Sequence, residues 1–304
     1  MTLLAPSRVL RCRLPVSIAA AILLLAATTA CRSKQQDAAP LATPTVTLNH
    51  DRAPLGSPLE ITYKFLPAPG ATFPEDYRVF VHVLDADEEL MWTDDHNPPT
   101  PTTQWKAGQA VEYTRTIFVP VYPYVGEATI QIGLHSTKDQ HRLPLAGDDA
   151  GQHSYKVARL QLAPQTDNIF TVKKDGWHPA EIVEGNAGIQ WNWTKKDAIL
   201  SFKNPKEDCV LYLEVDNPGG IFNDEQKLSV RINGQSISEL SVTPRQSAVL
   251  HRIALPAAAL GSADMAEIHF VVDKTFVPSQ LSPSSKDPRE LGVRIFHAFV
   301  ARAH

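Results

Sequence analysis

The sequence predicts an all-β protein built from two consecutive antiparallel β-sandwich domains. Three observations indicate this fold class: short segments alternate apolar and polar residues, turn-forming residues separate these segments, and the 304-residue chain contains 24 prolines. Alternation with a period of two residues is typical of strands that bury one face, and short strands punctuated by turns are typical of sandwiches. Because proline interrupts helices, we expect very little helix beyond the first 30 residues.

The first sandwich is predicted over residues 45–164. Residues 127–135 alternate cleanly between apolar and polar side chains, and Leu59–Phe65 follows the same pattern. In Tyr77–Leu84, the residues that point to either face of the strand are mostly apolar, which predicts a central strand covered on both faces. Connections rich in proline and glycine, such as residues 67–70, separate these strands.

The second sandwich is predicted over residues 165–304. Apolar residues share one face of residues 228–232, and the turn Asn233-Gly234 then leads into Gln235–Val242. Asn-Gly between two alternating segments is a strong hairpin signal. Residues 291–300 are apolar at nearly every position, so this last strand is predicted to lie inside a sheet. Both sandwiches are expected to be immunoglobulin-like or jelly-roll-like.

The first 30 residues are interpreted as a lipoprotein signal peptide. Three arginines precede the apolar run Ile18–Ala27, and small residues lie directly before Cys31. A positive segment, a short apolar segment and a small-residue cleavage site mark an export signal, whereas spanning a bilayer takes about 20 apolar residues. The end of this segment resembles the lipobox of bacterial lipoproteins, although Thr28 stands where that family usually has Leu. The resemblance implies that Cys31 is lipidated; an ordinary signal peptide and an uncleaved anchor are the alternatives.

The expected location is the bacterial cell envelope. Residues 31–44 are polar, rich in alanine and proline, and are interpreted as the lipidated cysteine followed by a flexible tether. Arg32 is not the aspartate that resembles an inner-membrane retention signal, so we expect the outer membrane, with the protein facing the periplasm. The membrane is therefore an expected partner, reached through the N-terminal lipid.

Charge and motifs exclude several classes of function. The formal net charge is −4, and removing residues 1–30, which carry three arginines and no acidic residue, makes the chain more acidic. An acidic exported protein has no electrostatic reason to bind nucleic acid. The chain has no GxxxxGK[ST], HExxH or GxSxG motif, so no cofactor, metal or catalytic residue is predicted. Cys209 lies in the apolar segment CVLYL and is predicted to be a buried structural thiol.

The most polar cluster of the chain is Asp94-Asp95-His96, which follows Trp92. Two carboxylates and an imidazole are suited to binding a divalent cation or to acid–base chemistry. The alternative is a turn, because Asp and Asn side chains bond to their own backbone and the following Pro-Pro ends the strand. Adjacent strand residues also point to opposite faces, which disfavours a shared ligand set. We favour the turn and keep all four residues as candidates for binding.

The five tryptophans are the second candidate feature. Trp191 and Trp193 are two residues apart and therefore share a face if they lie on a strand. Aligned aromatic side chains on a sandwich can stack sugar rings, which makes both residues, with Trp92 and Trp105, candidates for binding a glycan. The alternative, which we favour, is that the rings pack in the core and a neighbour accepts each indole N–H.

Several segments resemble two-domain β-sandwich lipoproteins of environmental bacteria. They are WTDDHNPPTPTTQWKAGQAVEYTR, VYPYVGEATIQIGLHS and RLPLAGDD in the first half, and GWHPAE, WNWTKKDAILSFKNP and DPRELGVRIFHAF in the second. Tryptophan-containing blocks that end in DPRxLG are similar to modules attached to bacterial cell-surface and glycosyltransferase-linked proteins. The resemblance implies two sandwiches and an envelope location, and it favours glycans.

The predicted function is that of a non-catalytic, lipid-anchored envelope protein whose sandwich surfaces bind a polysaccharide or an envelope protein. The alternative is an envelope hydrolase that uses the Asp94, Asp95 and His96 cluster, with or without a metal. The two hypotheses differ in what the cluster must do, because hydrolysis requires groups that converge within hydrogen-bond reach.

Overall fold

The computed structural model describes residues 38–183, 186–217, 221–244 and 247–303, apart from the side chains of residues 186–188. The predicted signal peptide, Cys31 and residues 32–37 of the predicted tether lie outside these residues. The all-β prediction is confirmed: the described elements are strands, two four-residue α-helices and two three-residue 3₁₀ helices, joined by turns and loops. None of the described helices is long and apolar enough to cross a membrane.

From residue 38 onward, the first half of the chain forms nine strands in two sheets. In chain order they are β1 (Ala42–Leu48), β2 (Arg52–Pro54), β3 (Pro58–Pro67), β4 (Tyr77–Leu84), β5 (Leu90–Thr93), β6 (Val111–Phe118), β7 (Gly126–Ser136), β8 (Asp148–Asp149) and β9 (Tyr155–Ala163). Sheet I has the order β1-β3-β6, and sheet II has the order β2-β9-β7-β4-β5 with β8 paired to β9. All pairs are antiparallel except β2 with β9.

The described residues of the second half form ten strands in two sheets. The elements are β10 (Thr171–Lys173), β11 (Trp177–Val183), β12 (Asn186–Thr194), β13 (Asp197–Lys203), β14 (Cys209–Asp216), β15 (Gln226–Ile232), β16 (Gln235–Val242), β17 (Val249–Leu255), α1 (Ala257–Leu260), β18 (Met265–Val272), α2 (Pro278–Leu281) and β19 (Arg294–Arg302). Sheet III has the order β10-β13-β18-β15-β16, and sheet IV has the order β11-β12-β19-β14-β17. Every described pair is antiparallel.

Each pair of sheets encloses an apolar core. Sheets I and II bury a cluster whose members lie between residues 42 and 162, and sheets III and IV bury one between residues 198 and 300. The alternation of apolar and polar residues explains these two cores, because successive side chains of a strand point to opposite faces of its sheet. Residues 40–304 form one compact unit, so a domain boundary between residues 164 and 165 stays a prediction.

Two predicted boundaries differ from the structure. β1 begins at Ala42, inside the predicted tether, because Ala42 is buried in the first core and pairs with Pro67. The last strand begins at Arg294 rather than at residue 291. Leu291 instead exchanges two backbone hydrogen bonds with Phe276, in the connection that precedes the strand.

Candidate functional site

The segment Asp94-Asp95-His96 directly follows β5. Asp94 and His96 point to the inner face of sheet II, and Asp95 points to the outer face. Oδ2 of Asp94 accepts hydrogen bonds from the Tyr63 hydroxyl at 3.1 Å and from Arg115 Nε at 3.0 Å. Oδ1 accepts one from Arg115 Nη2 at 2.8 Å. Tyr63 and Arg115 belong to sheet I, so both oxygens of Asp94 are used to link the two sheets through charge-assisted bonds.

The imidazole of His96 continues this buried network. Its Nδ1 lies 2.7 Å from the backbone oxygen of Asp94, and its Nε2 lies 2.8 Å from the Tyr113 hydroxyl. Burial lowers the pKa of His96, and burial also raises the pKa of Tyr113. Both groups are therefore neutral near pH 7, with Nδ1–H donating to the Asp94 oxygen and the Tyr113 hydroxyl donating to Nε2. The arrangement is a hydrogen-bonded core network whose polar atoms have partners.

Asp95 faces the opposite way, onto the outer face of sheet II. Its Oδ1 accepts a hydrogen bond from the backbone N–H of Val81 at 2.9 Å. It lines a cavity of about 150 Å³, here called the outer pocket, whose lining residues are Phe80, His82, Asp95, His135, Gln140 and Arg142. Among the described residues, no group of three or more His, Cys, Asp or Glu side chains is placed to hold a metal ion.

Burial separates the five tryptophans into two groups. Trp105 and Trp193 are buried, whereas Trp92, Trp177 and Trp191 are half-buried. Trp105 packs against aromatic rings of the first core, and its Nε1 donates to the Thr100 backbone oxygen at 2.9 Å. The expectation of core packing therefore describes Trp105 well, while Trp191 keeps part of its ring accessible.

Trp191 and Trp193 share the outer face of sheet IV, as their spacing predicts. The register pairs Trp193 with Arg294 and Trp191 with Glu181, and cross-strand partners lie on the same face. Trp193 is only 7% exposed because Phe276 packs edge-on against it at a centroid distance of 5.6 Å. The accessible aromatic surface of this face therefore belongs to Trp191.

Arg294 organises the rings around Trp191. Its guanidinium lies 4.9 Å from the centre of the Trp191 ring and 5.4 Å from that of Phe296. It also forms a two-point salt bridge with Asp216, through Nε at 2.7 Å and Nη2 at 2.6 Å. The salt bridge fixes the plane of the guanidinium. The aromatic side chains that stack on this plane are therefore held in place as well. Trp191, Phe296, Arg294 and Asp216 are together called the aromatic face.

One exposed apolar residue continues this surface: Ile189 is 43% exposed and lies two residues before Trp191 on β12. Ile182, on the edge strand β11, is 58% exposed, but its cross-strand partner is Gln190, so it lies on the opposite face of sheet IV. The indole Nε1 of Trp191 is buried without a hydrogen-bond partner. The region thus combines an aromatic ring, an unpaired donor and exposed apolar area.

A larger groove lies where sheet IV meets the first sandwich. Its volume is about 390 Å³, and its lining includes Arg52 and Asp167, which form a salt bridge at 2.5 Å, together with Tyr212 and Phe299. None of the five tryptophans lines it. Sequence reasoning missed this groove, because its residues are far apart along the chain and share no motif. Of the residues that line the outer pocket, Asp95 is one of the candidates predicted from the sequence.

Comparisons with known proteins give no assignment of family. No protein-family model matches the chain, and no curated protein matches its sequence. Among solved structures, the chain is similar to the N-terminal CBM22-1-CBM22-2 tandem domain of Paenibacillus barcinonensis Xyn10C, with 9% identity, a TM-score of 0.27 and coverage of 82% of this chain and 80% of that one.

Two enzymes are similar at the same low level. They are exo-β-1,3-galactanase of Phanerochaete chrysosporium, with 11% identity and a TM-score of 0.28, and Bacteroides uniformis β-glucuronidase 2, with 11% identity and a TM-score of 0.27. Each match covers 86% of this chain but only 57% and 30%, respectively, of the enzyme. TM-scores this low indicate no function, and the resemblance to two-domain lipoproteins stays a hypothesis.

Proposed function

We propose that the protein is a non-catalytic, lipid-anchored envelope protein that binds a glycan at the aromatic face. One observation carries this proposal: Trp191 is half-exposed on an outer sheet face, and Arg294 and Phe296 hold its ring in place. A fixed, partly exposed ring offers apolar area with little loss of side-chain freedom, which suits the apolar face of a sugar.

Polar groups beside the ring match the hydroxyl groups of a sugar. Glu181 lies opposite Trp191 on the neighbouring strand and accepts a hydrogen bond from Arg289 at 2.7 Å. Binding sites for small molecules typically combine aromatic walls with a few placed polar groups, and this surface has both.

A protein partner is the second candidate, and the exposed isoleucines favour it. Ile182 on edge strand β11 and Ile189 on β12 give apolar area outside the aromatic face. Edge strands present unpaired backbone groups that can receive a strand from another chain. A hydrolase remains an alternative hypothesis for the Asp94-Asp95-His96 cluster, although Asp94 is engaged by Arg115 and Tyr63.

A polysaccharide array, probed with the detergent-solubilised full chain, tests the glycan proposal. We expect binding to at least one polysaccharide, and we expect Trp191→Ala to weaken it about tenfold, equivalent to about 1.4 kcal/mol. Trp191→Phe should retain part of the affinity. Phe170→Ala is the matched control, since Phe170 is 66% exposed but precedes β10 in sheet III.

Two results would contradict the glycan proposal. One is the absence of binding to any polysaccharide, and the other is binding that Trp191→Ala leaves unchanged. If instead an envelope protein co-purifies with the wild-type chain and is lost with Ile182→Asp, the partner is a protein at the β11 edge.

A further inference from the structure

The outer pocket lies on the first sandwich, where β4 and β7 present a row of polar side chains. The register pairs Arg78 with His135, Phe80 with Gly133 and His82 with Gln131. Cross-strand partners share a face, so these side chains stand together on the outer face of sheet II. Neither the aromatic face nor the buried Asp94 network uses them.

The floor of the outer pocket is the Phe80 ring, which is only 2% exposed. Gly133 makes room for it, because a Cβ at that position would lie 2.4 Å from the ring. The Arg142 guanidinium covers the ring at 4.2 Å from its centre, and the imidazoles of His82 and His135 lie beside it at centroid distances of 5.1 and 6.2 Å. The Arg142 guanidinium is therefore held against a rigid aromatic surface.

Two guanidinium groups and one carboxylate lie in or beside the outer pocket. Arg142 lines the pocket and Arg78 stands next to His135, whereas Asp95 is the one carboxylate among the lining residues. Asp95 directs Oδ1 to the Val81 N–H, and Arg78 Nη2 donates to the backbone oxygen of Asp95 at 2.9 Å rather than to its carboxylate. No described side-chain contact pairs either guanidinium with a carboxylate here.

Two nitrogens, one in the pocket lining and one beside it, have no hydrogen-bond partner among the described residues. Arg78 Nε and His135 Nε2 are both buried and make no hydrogen bond within the described structure. Buried polar atoms in folded proteins almost always have a partner, so two neighbouring exceptions indicate a site for an acceptor. Arg142 is also weakly engaged, since its only described side-chain hydrogen bond reaches the Gln152 backbone oxygen at 3.3 Å.

We infer that the outer pocket binds a carboxylate group, which Arg142 and Arg78 attract and to which His135 donates a hydrogen bond. A planar carboxylate matches the fork of an arginine, and the nearby Asp95 disfavours anions of higher charge. The volume of about 150 Å³ accommodates the acidic end of a ligand rather than a whole oligosaccharide. The carboxylate belongs either to an acidic sugar or to a free organic acid. The inference is independent of the aromatic face.

NMR titration of the detergent-solubilised full chain tests this inference, with sodium acetate, sodium glucuronate and glucose as probes. Acetate and glucuronate should both bind, whereas neutral glucose should leave the signals of the outer pocket unchanged. Glucuronate binding about tenfold tighter than acetate would identify an acidic sugar, and equal affinities would identify a free carboxylate. Absence of binding by both carboxylates at about 50 mM would overturn the inference.

Two variants complete the test. Arg142→Gln should weaken carboxylate binding about tenfold or more, because the charged fork is lost. Arg159→Gln should not, since Arg159 is a surface arginine of the same sheet that pairs with Glu127. If Arg142→Gln lowers the unfolding temperature, His135→Gln is used in its place, and the expected loss of carboxylate affinity is then smaller. Equal carboxylate affinity in the wild type and in the folded variant would refute the assignment.

Discussion

His96 shows how burial sets the behaviour of a single residue. Burial lowers the pKa of His96, so the folded chain takes up this proton at a lower pH than the unfolded chain, in which histidine titrates near pH 6.5. The unfolded state therefore binds more protons in this range, and stability falls as the pH drops from about 7 through the folded pKa. Burial lowers the pKa of His82 and of His251 as well, which adds to the effect.

The corresponding prediction concerns the pH dependence of unfolding. The free energy of unfolding in urea should be lower at pH 5.5 than at pH 7.5, and His96→Gln should reduce that difference even if it lowers stability at both values. His141→Gln is the control, because His141 is exposed. An unchanged pH dependence in His96→Gln would show that His96 is not the titrating group.

The side-chain partners of Asp94 were not predictable from the sequence. The period of two residues correctly predicts that Asp94 and Asp95 point to opposite faces. Tyr63 and Arg115, however, lie 31 and 21 residues from Asp94, on strands of the other sheet. Long-range packing decides which strands face each other across a sandwich. A local sequence pattern therefore locates the polar cluster but does not show which residues of the other sheet form hydrogen bonds with it.

At the scale of strands, local sequence patterns correctly predicted strand bounds and the position of a hairpin turn. Tyr77–Leu84 has the predicted bounds, and the hairpin of β15 and β16 turns at Asn233-Gly234, where both residues have positive φ. Both residues tolerate that conformation, as a two-residue hairpin turn requires. The start of β19 was mispredicted because Leu291 is apolar yet bonds to Phe276 outside the sheet. Apolar character alone does not separate a strand from a buried connection.

Gly133 on β7 gives a prediction at this scale. A methyl group there would collide with the Phe80 ring, so Gly133→Ala should displace the ring and destabilise the protein by about 1–3 kcal/mol. Thr129→Ala on the same strand is the control and should change stability by about 0.5 kcal/mol or less. Urea denaturation measures both, and a neutral Gly133→Ala would indicate that the ring has room to move.

At the scale of the whole molecule, the first sandwich covers part of sheet IV. Phe118 at the end of β6 stacks on His297 of β19 with a centroid distance of 3.8 Å, and Arg252 pairs with Glu60 at 2.5 Å. This contact explains why Tyr212, on the outer side of sheet IV, is only 7% exposed. The aromatic face is consequently the part of the sheet that the first sandwich leaves free. No local sequence pattern predicts which part of sheet IV the first sandwich covers and which part it leaves free.

The proposed lipid anchor is also a property of the whole molecule. Membrane attachment through acyl chains at Cys31 would contribute about 0.8 kcal/mol for each buried CH₂ group, and replacing the thiol removes all of it. Cys31→Ser should therefore leave the protein unprocessed or move it to the soluble fraction after cell lysis. Cys209→Ser is the matched control and should stay with the membranes, since burial raises the pKa of the Cys209 thiol to about 11 and withholds it from modification. A processed Cys31→Ser protein that still sediments with membranes would rule out the lipid anchor and leave protein–protein contact as the cause of attachment.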